Sequence, residues 1–249
     1  MEFGLFMMPV HHPSKGLPRT IKEDMQSIVL ADELGFHEAW VGEHFTITWE
    51  NLPAPDLFIS QAFAKTKNIK IGTGVVLLQL HDPKELAHRI AMLDHLSDGR
   101  FYFGVGTGGA PTEFEFFGIS EENRHARAAE VIDAVLKIWE SDGNLDYQGQ
   151  FYQIKSPTKV PAAGLGMWLK PETKPHPPIA VAGVRPNSST LEWAGENGWI
   201  PLTTEILPKE FVPSHWEAYK RGAAKTGKTA DRRNWRICCL LYTSPSPRD

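Results

Sequence analysis

Cysteine is nearly absent: Cys238 and Cys239 are the only two in 249 residues. Being adjacent, they form neither an ordinary disulfide nor a metal-ligand spacing. No run approaches the ~20 apolar residues of a membrane span. The opening Met1 to Val10 is apolar but has no basic leader or small-residue cleavage site, so the expectation is a cytoplasmic protein without a membrane partner. Charge of one sign is missing too. With 26 Lys and Arg against 30 Asp and Glu, a net charge of −4 leaves no electrostatic footprint for nucleic acid. The dinucleotide fingerprint is also lacking. Gly106-Thr107-Gly108-Gly109 has the wrong spacing, and no acidic ribose partner follows it.

What is present is a regular alternation of strand and helix signals over a chain that is 41% hydrophobic, enough for one large core. Ile69 to Leu78 and Phe101 to Gly106 are short apolar runs bounded by glycine, read as strands buried on both faces. Between them Asp82 caps a helix with Pro83 at its first position and Glu85 completing a capping box. Leu86, Ile90 and Leu93 share its inner face, and Gly99 ends it. Upstream, Glu2 to Met8 reads as a strand, followed by a helix opened by a Thr20/Glu23 capping box and ended by Gly35. A second strand runs from about His37 to Gly42, and a helix from about Asp56 to Lys65.

Downstream, Arg124 to Glu140 carries Ala128, Val131, Ile132, Val135 and Trp139 on one face and predicts a long amphipathic helix. Residues 141–178 break the rhythm and predict an excursion with a hairpin near Tyr147 to Ile154. A strand at Ile179 to Ala182, a helix from Ser188 to Glu196, a strand near Trp199, a helix from Lys209 to Ala224 and a strand near Trp235 follow. Strand starts about 30 residues apart require parallel strands with crossover helices. The fold class is therefore α/β. Six to seven such units suit a TIM-type (β/α)8 barrel, incomplete on its C-terminal side, because a full barrel takes ~250 residues without an excursion. Residues 1–240 are expected to form this barrel. Leu241 to Asp249, rich in Ser, Pro and Arg, reads as a tail foreign to it.

Several residues carry candidate chemistry. His44 follows the second strand, where such barrels place catalytic groups, and an imidazole moves protons near neutrality. Thr73-Gly74-Val75 ends the third strand, and glycine inside a buried strand marks close approach by a ligand or by backbone. Arg185-Pro186-Asn187-Ser188-Ser189-Thr190 opens a helix with short polar side chains and free N–H groups, which suits an anion as well as a plain N-cap. His11 and His12 point to opposite faces of an extended chain, so they make no metal pair. They are assigned to the mouth of a substrate site. No metal is expected. The tryptophans at 193, 199, 216 and 235 and the phenylalanines at 114, 116 and 117 read as packing residues.

Four stretches together carry a resemblance: His37-Glu38-Ala39-Trp40-Val41-Gly42-Glu43-His44-Phe45, Gly72-Thr73-Gly74-Val75, Leu93-Asp94-His95-Leu96-Ser97-Asp98-Gly99-Arg100-Phe101 and Phe116-Phe117-Gly118. The chain resembles the flavin-dependent monooxygenases of the bacterial luciferase-like family, in particular the limonene 1,2-monooxygenase-like branch. The resemblance implies reduced FMN as a diffusible co-substrate, molecular oxygen, a separate NAD(P)H-dependent flavin reductase, a small organic substrate and pairing into a homodimer. It makes His44 the catalytic acid/base, sets Glu43 beside the flavin ring and implies a cis peptide at Gly74-Val75 against the flavin. Glu113 matches an acidic position near the flavin in that family, although by itself it reads first as a surface carboxylate, and Asn187 to Thr190 with Arg185 would hold the phosphate. Bacterial luciferase has cysteine and arginine where this chain has Gly106 and Thr107. That departure implies a roomier, less charged pocket and oxygenation of an apolar substrate. Alternatives on the same barrel are a deazaflavin F420-dependent hydride-transfer enzyme and a non-catalytic flavin-binding relative.

Overall fold

The computed structural model describes residues 2–239, so the proposed tail at Leu241 to Asp249 lies outside the described residues. The chain divides into two compact units, 1–179 and 180–249.

The first unit starts with β1 (Gly4–Met7), α1 (Leu17–Glu33), β2 (Glu38–Val41), α2 (Pro55–Lys65) and β3 (Lys70–Thr73). It continues with β4 (Val76–Leu77), α3 (Pro83–Leu96) and β5 (Phe101–Gly106). Neighbouring strands are parallel: β1 on β2, β2 on β3, and β5 paired with both β3 and β4. Each crossover is a helix, as the strand spacing requires. This is the βα repeat of the TIM type, and it sends every strand's carboxyl end toward the same side. β2 and β5 are buried along their whole length, with Phe101, Phe103, Ile71, Ile59 and Ile90 among the fully enclosed side chains.

The Leu93 to Phe101 stretch has a structural purpose. Asp94, buried, accepts from the Thr173 N–H and hydroxyl at 2.8 Å each, which ties residues 141–178 to α3. Arg100 donates to the carbonyls of Phe63 and Ile69 and to the Thr66 hydroxyl, closing the end of α2. Asp32 likewise accepts three consecutive N–H groups, of Lys67, Asn68 and Ile69, at 2.7 to 2.9 Å, and so delivers the chain into β3.

α5 (Arg124–Glu140) has the expected bounds, and the hairpin is β6 (Asp146–Gln148) with β7 (Gln153–Lys155). α4 (Pro111–Phe116) was not legible as a helix in the sequence. The start of α1 corrects another expectation. Pro18 is compatible with a first turn, so the helix begins at Leu17 and Thr20 lies inside it, its hydroxyl on the Leu17 carbonyl. The capping box at Asp82 is half made: Asp82 accepts the Lys84 N–H at 2.8 Å, but Glu85 pairs with Arg89 at 3.5 Å.

The second unit opens within β8 (Ile179–Gly183), at Ala180, and continues through α6 (Ser189–Asn197), β9 (Ile200–Thr203), α7 (Val212–Lys225) and β10 (Arg236–Ile237), its strands parallel in that order. α6 and α7 approach backbone to backbone. A Cβ on Gly222 would stand 1.8 Å from the Glu192 carbonyl oxygen, and one on Gly195 would stand 2.1 Å from that of Tyr219. Trp216 stacks on Trp235 at 5.4 Å and Trp193 meets Trp199 edge-on at 4.8 Å, so these tryptophans are packing residues.

Candidate active site

In the first unit the carboxyl ends of β2, β4 and β5 bring one cluster together. β2 ends directly into Glu43 and His44. His44 Nδ1 lies 3.1 Å from Glu113 Oε1, and its Nε2 lies 3.2 Å from Glu50 Oε2. Glu113 comes from α4 and is not a surface carboxylate: it is wholly buried, and its Oε1 also accepts the Phe45 N–H at 2.7 Å. Burial alone would depress the pKa of His44. The Glu113 hydrogen bond and the charges of Glu113, Glu50 and Glu43 outweigh it and hold the imidazole above its ordinary value of 6.5. Burial would raise Glu113, but the bonds from His44 and Phe45 pull its carboxyl below the ordinary 4.5.

Glu43 is buried and committed within the chain. Its Oε2 accepts the Leu77 N–H at 2.7 Å, and its two oxygens lie 3.0 and 3.1 Å from His81 Nε2. It therefore locks the segment after the third strand onto the end of the second. That segment contains a cis peptide at Gly74-Val75, the bond the resemblance implied. The Thr73 hydroxyl donates to the Gly104 carbonyl at 2.7 Å. Gly106 leaves room, but Val75 takes it: a Cβ at Gly106 would lie 2.5 Å from Val75 Cγ2. Thr107 follows, half-buried, and Gly108 adopts φ +59. Leu77, Leu80 and Phe114 form an apolar cluster with Phe45, Val75 and Phe117 packed on it, beside His44. Phe116, in contrast, is exposed.

Two buried polar groups in this region have no partner among the described residues: both amide atoms of Gln79 and Oε2 of Glu113. Gln79 is fully enclosed, and Gly108 closes on it so tightly that a Cβ there would stand 3.1 Å from Nε2. Gln79, Glu50 and His81 were missed in the sequence. Each is an ordinary polar residue in a turn, and no spacing signal marks it.

His11 and His12 line a separate cavity of ≈ 220 Å³ with Asp24, Trp49, Leu17 and Leu52. His11 Nε2 lies 2.8 and 2.9 Å from the two Asp24 oxygens, and His12 Nδ1 lies 2.8 Å from the Ser14 hydroxyl. Burial raises the Asp24 carboxyl against the lowering effect of His11. Among the described residues no group of three or more His, Cys, Asp and Glu side chains could hold a metal ion. No helix among them is long and apolar enough to cross a membrane.

In the second unit Ser188 caps α6, accepting the Leu191 N–H at 3.3 Å, and its hydroxyl meets that of Thr190 at 2.8 Å. Thr190 also donates to the Ala182 carbonyl at 2.7 Å. Asn187 adopts φ +52 and donates its N–H to Ser214 at 3.0 Å. Ser189 and Arg185 are exposed. His215 shapes this loop from beneath: its Nε2 lies 2.8 Å from the Arg185 carbonyl and its Nδ1 2.9 Å from the Thr203 hydroxyl. Burial lowers its pKa. Ser188 thus supplies the plain cap, and the first N–H groups of α6 keep their capacity for an anion.

Parallel βα units ending in a histidine held between carboxylates, beside a glycine-rich turn, define an α/β enzyme-type site on a TIM-type fold. Residues 1–248 match the luciferase-like monooxygenase family, and the chain belongs to it. It is 30% identical over 252 residues to 4-hydroxyprotoasukamycin monooxygenase of Streptomyces nodosus subsp. asukaensis, covering 99% of this chain and 65% of that protein. It is 29% identical over 251 residues to limonene 1,2-monooxygenase of Rhodococcus erythropolis, covering 98% of this chain and 61% of that one. Among solved structures it is similar to the oxygenating constituent of the type II Baeyer–Villiger 3,6-diketocamphane monooxygenase of Pseudomonas putida, in complex with FMN. That match has a TM-score of 0.87 and 29% identity, covering 95% of this chain and 66% of that chain. The chain spans about two thirds of the length of these proteins.

Proposed function

We propose that this chain is the oxygenating component of a two-component flavin monooxygenase. It would take reduced FMN from a separate NAD(P)H-dependent reductase and insert one atom of O2 into a small apolar organic substrate. The observation that carries the reading is His44, clamped between Glu113 and Glu50 beside an apolar wall in a chain of this family. When bound, reduced flavin supplies the electrons that activate oxygen.

The residues fit such a group. The Gln79 amide, buried with neither a donor nor an acceptor partner, offers both to a flat heteroaromatic edge that carries N–H and C=O groups. Thr73, Gly74, Val75, Gly106 and Thr107 are the proposed surface for the ring. In the second unit the α6 N-terminus, Asn187 to Thr190, with the exposed guanidinium of Arg185, is the proposed seat for the phosphate.

His44, held above its ordinary value by the Glu113 bond and the neighbouring carboxylates, keeps its proton more readily than a free imidazole, which suits it for acid/base work on an oxygen-transfer reaction. Glu43 fixes Leu77 and His81 and with them the turn that follows the third strand. Phe45, Phe117 and Val75 keep water from the reacting atoms and favour an apolar substrate. His11 and His12, in the cavity after β1, are proposed to line the substrate's entry.

Anaerobic titration of the chain with reduced FMN, and separately with reduced F420, tests this reading. Selective binding of reduced FMN is expected. Binding of F420 alone would move the assignment to hydride transfer, and binding of neither would leave no flavin role.

A further inference from the structure

Each ring nitrogen of His44 faces a carboxylate, Nδ1 in a hydrogen bond and Nε2 in an ion-pair contact, and the two carboxylates are differently placed. Glu113 on Nδ1 is wholly buried and is fixed a second time by the Phe45 N–H, so it has no route to water. Glu50 faces Nε2 at 3.2 Å as an ion-pair contact without hydrogen-bond alignment, has 22% of its side chain exposed, and its carboxylate accepts no hydrogen bond among the described residues. Glu50 reaches the ring because its loop closes on itself. The His44 N–H donates to the Leu52 carbonyl at 3.2 Å, and the His11 N–H donates to the Trp49 carbonyl at 2.8 Å. A ring nitrogen that serves a reacting molecule must be released by its protein partner, and only Glu50 is held loosely enough to leave.

We propose that Nε2 is the nitrogen His44 presents to the reacting atoms, and that Glu50 is the positioning residue that reloads it with a proton from water. The transfer is balanced: a Glu50 oxygen takes one proton from solvent and passes it to Nε2, so the imidazole regains the proton it gave up, and no electron moves. Glu113 stays on Nδ1 throughout and fixes the ring's orientation. The charged groups facing the imidazole are Glu113 from α4, Glu50 from the loop and Glu43 from the end of β2. This inference rests on the monooxygenase reading for the identity of the reacting atoms, but the Glu50–Nε2 coupling is a property of the chain alone.

Nitrogen-15 labelling of histidine allows the two ring nitrogens to be followed by NMR without flavin. In Glu50→Gln the His44 titration is expected to move to lower pH. Exchange of its Nε2 proton with water should slow, acetate should restore it, and the Nδ1 signal should keep its place. Glu50→Asp, which keeps the carboxylate, should recover part of the wild-type behaviour. An unchanged titration and Nε2 exchange in Glu50→Gln, or a change at Nδ1 instead, would overturn the proposal. In turnover the same variant should lose kcat at constant KM and regain it with acetate, whereas a purely structural role would show no acetate rescue. Failure of the monooxygenase reading would appear separately, as wild-type protein that does not bind reduced FMN while the NMR result stands.

Discussion

Gln79 shows how a single residue can be costly to the free chain and useful to a complex. A buried amide with no partner costs about 1–3 kcal/mol, so its presence in a fully enclosed position invites an explanation. If the amide serves the flavin, Gln79→Leu should stabilise the free chain by about 1 kcal/mol in denaturant unfolding and weaken FMN binding by about tenfold. Equal binding by variant and wild type would remove Gln79 from the site. At this scale the sequence singled out His44, because a histidine at the end of a strand stands out. It gave no signal for Glu50 and Gln79, whose proposed roles arise only from a loop closing on itself and from a glycine pressing on an amide. Gly106 was read as an opening, yet Val75 fills it.

The elements were the most legible level. Apolar spacing fixed α5 and β5 to their observed bounds, since amphipathic periodicity and glycine punctuation act locally. α1 was misplaced by four residues, its cap at Gly16 and not Thr20, because Pro18 and the Thr20/Glu23 box compete and the proline position prevailed. α4 escaped because one short turn of helix carries too little periodicity to read. Close strand packing makes one element-level prediction. In β5, a Cβ on Gly104 would stand 1.8 Å from the Thr73 carbonyl oxygen, a contact only backbone movement can relieve. Gly104→Ala should therefore cost about 3 kcal/mol in unfolding free energy and disturb the Thr73–Gly104 bond that precedes Gly74. A wild-type melting curve for this variant would contradict the packing described for β3 and β5.

For the whole molecule, the two histidines imply opposite pH responses in the two units. His44 is held above 6.5, so its contribution to the first unit is complete below pH 6.5 and is lost as pH rises through its folded value. His215 is held below 6.5 by burial. Its contribution to the second unit is complete above pH 6.5 and is lost as pH falls toward its folded value. Hydrogen exchange followed peptide by peptide between about pH 5 and 8 should show protection near His44 declining at the alkaline end and protection near His215 declining at the acid end. Parallel changes in both units would contradict these assignments. The βα order was readable from strand spacing alone, whereas the division into two units was not, because it depends on contacts between residues distant in sequence.

The central claim is oxygen transfer managed by His44. The most direct test supplies the chain with reduced FMN, isotope-labelled O2 and a panel of small terpenes and cyclic ketones, and compares wild type with His44→Ala. One labelled oxygen atom in the wild-type product, largely lost in His44→Ala while FMN still binds, is the predicted result. Labelled product formed equally well by the variant would contradict the role of His44, and unlabelled or absent product from a wild type that binds FMN would contradict the monooxygenase assignment.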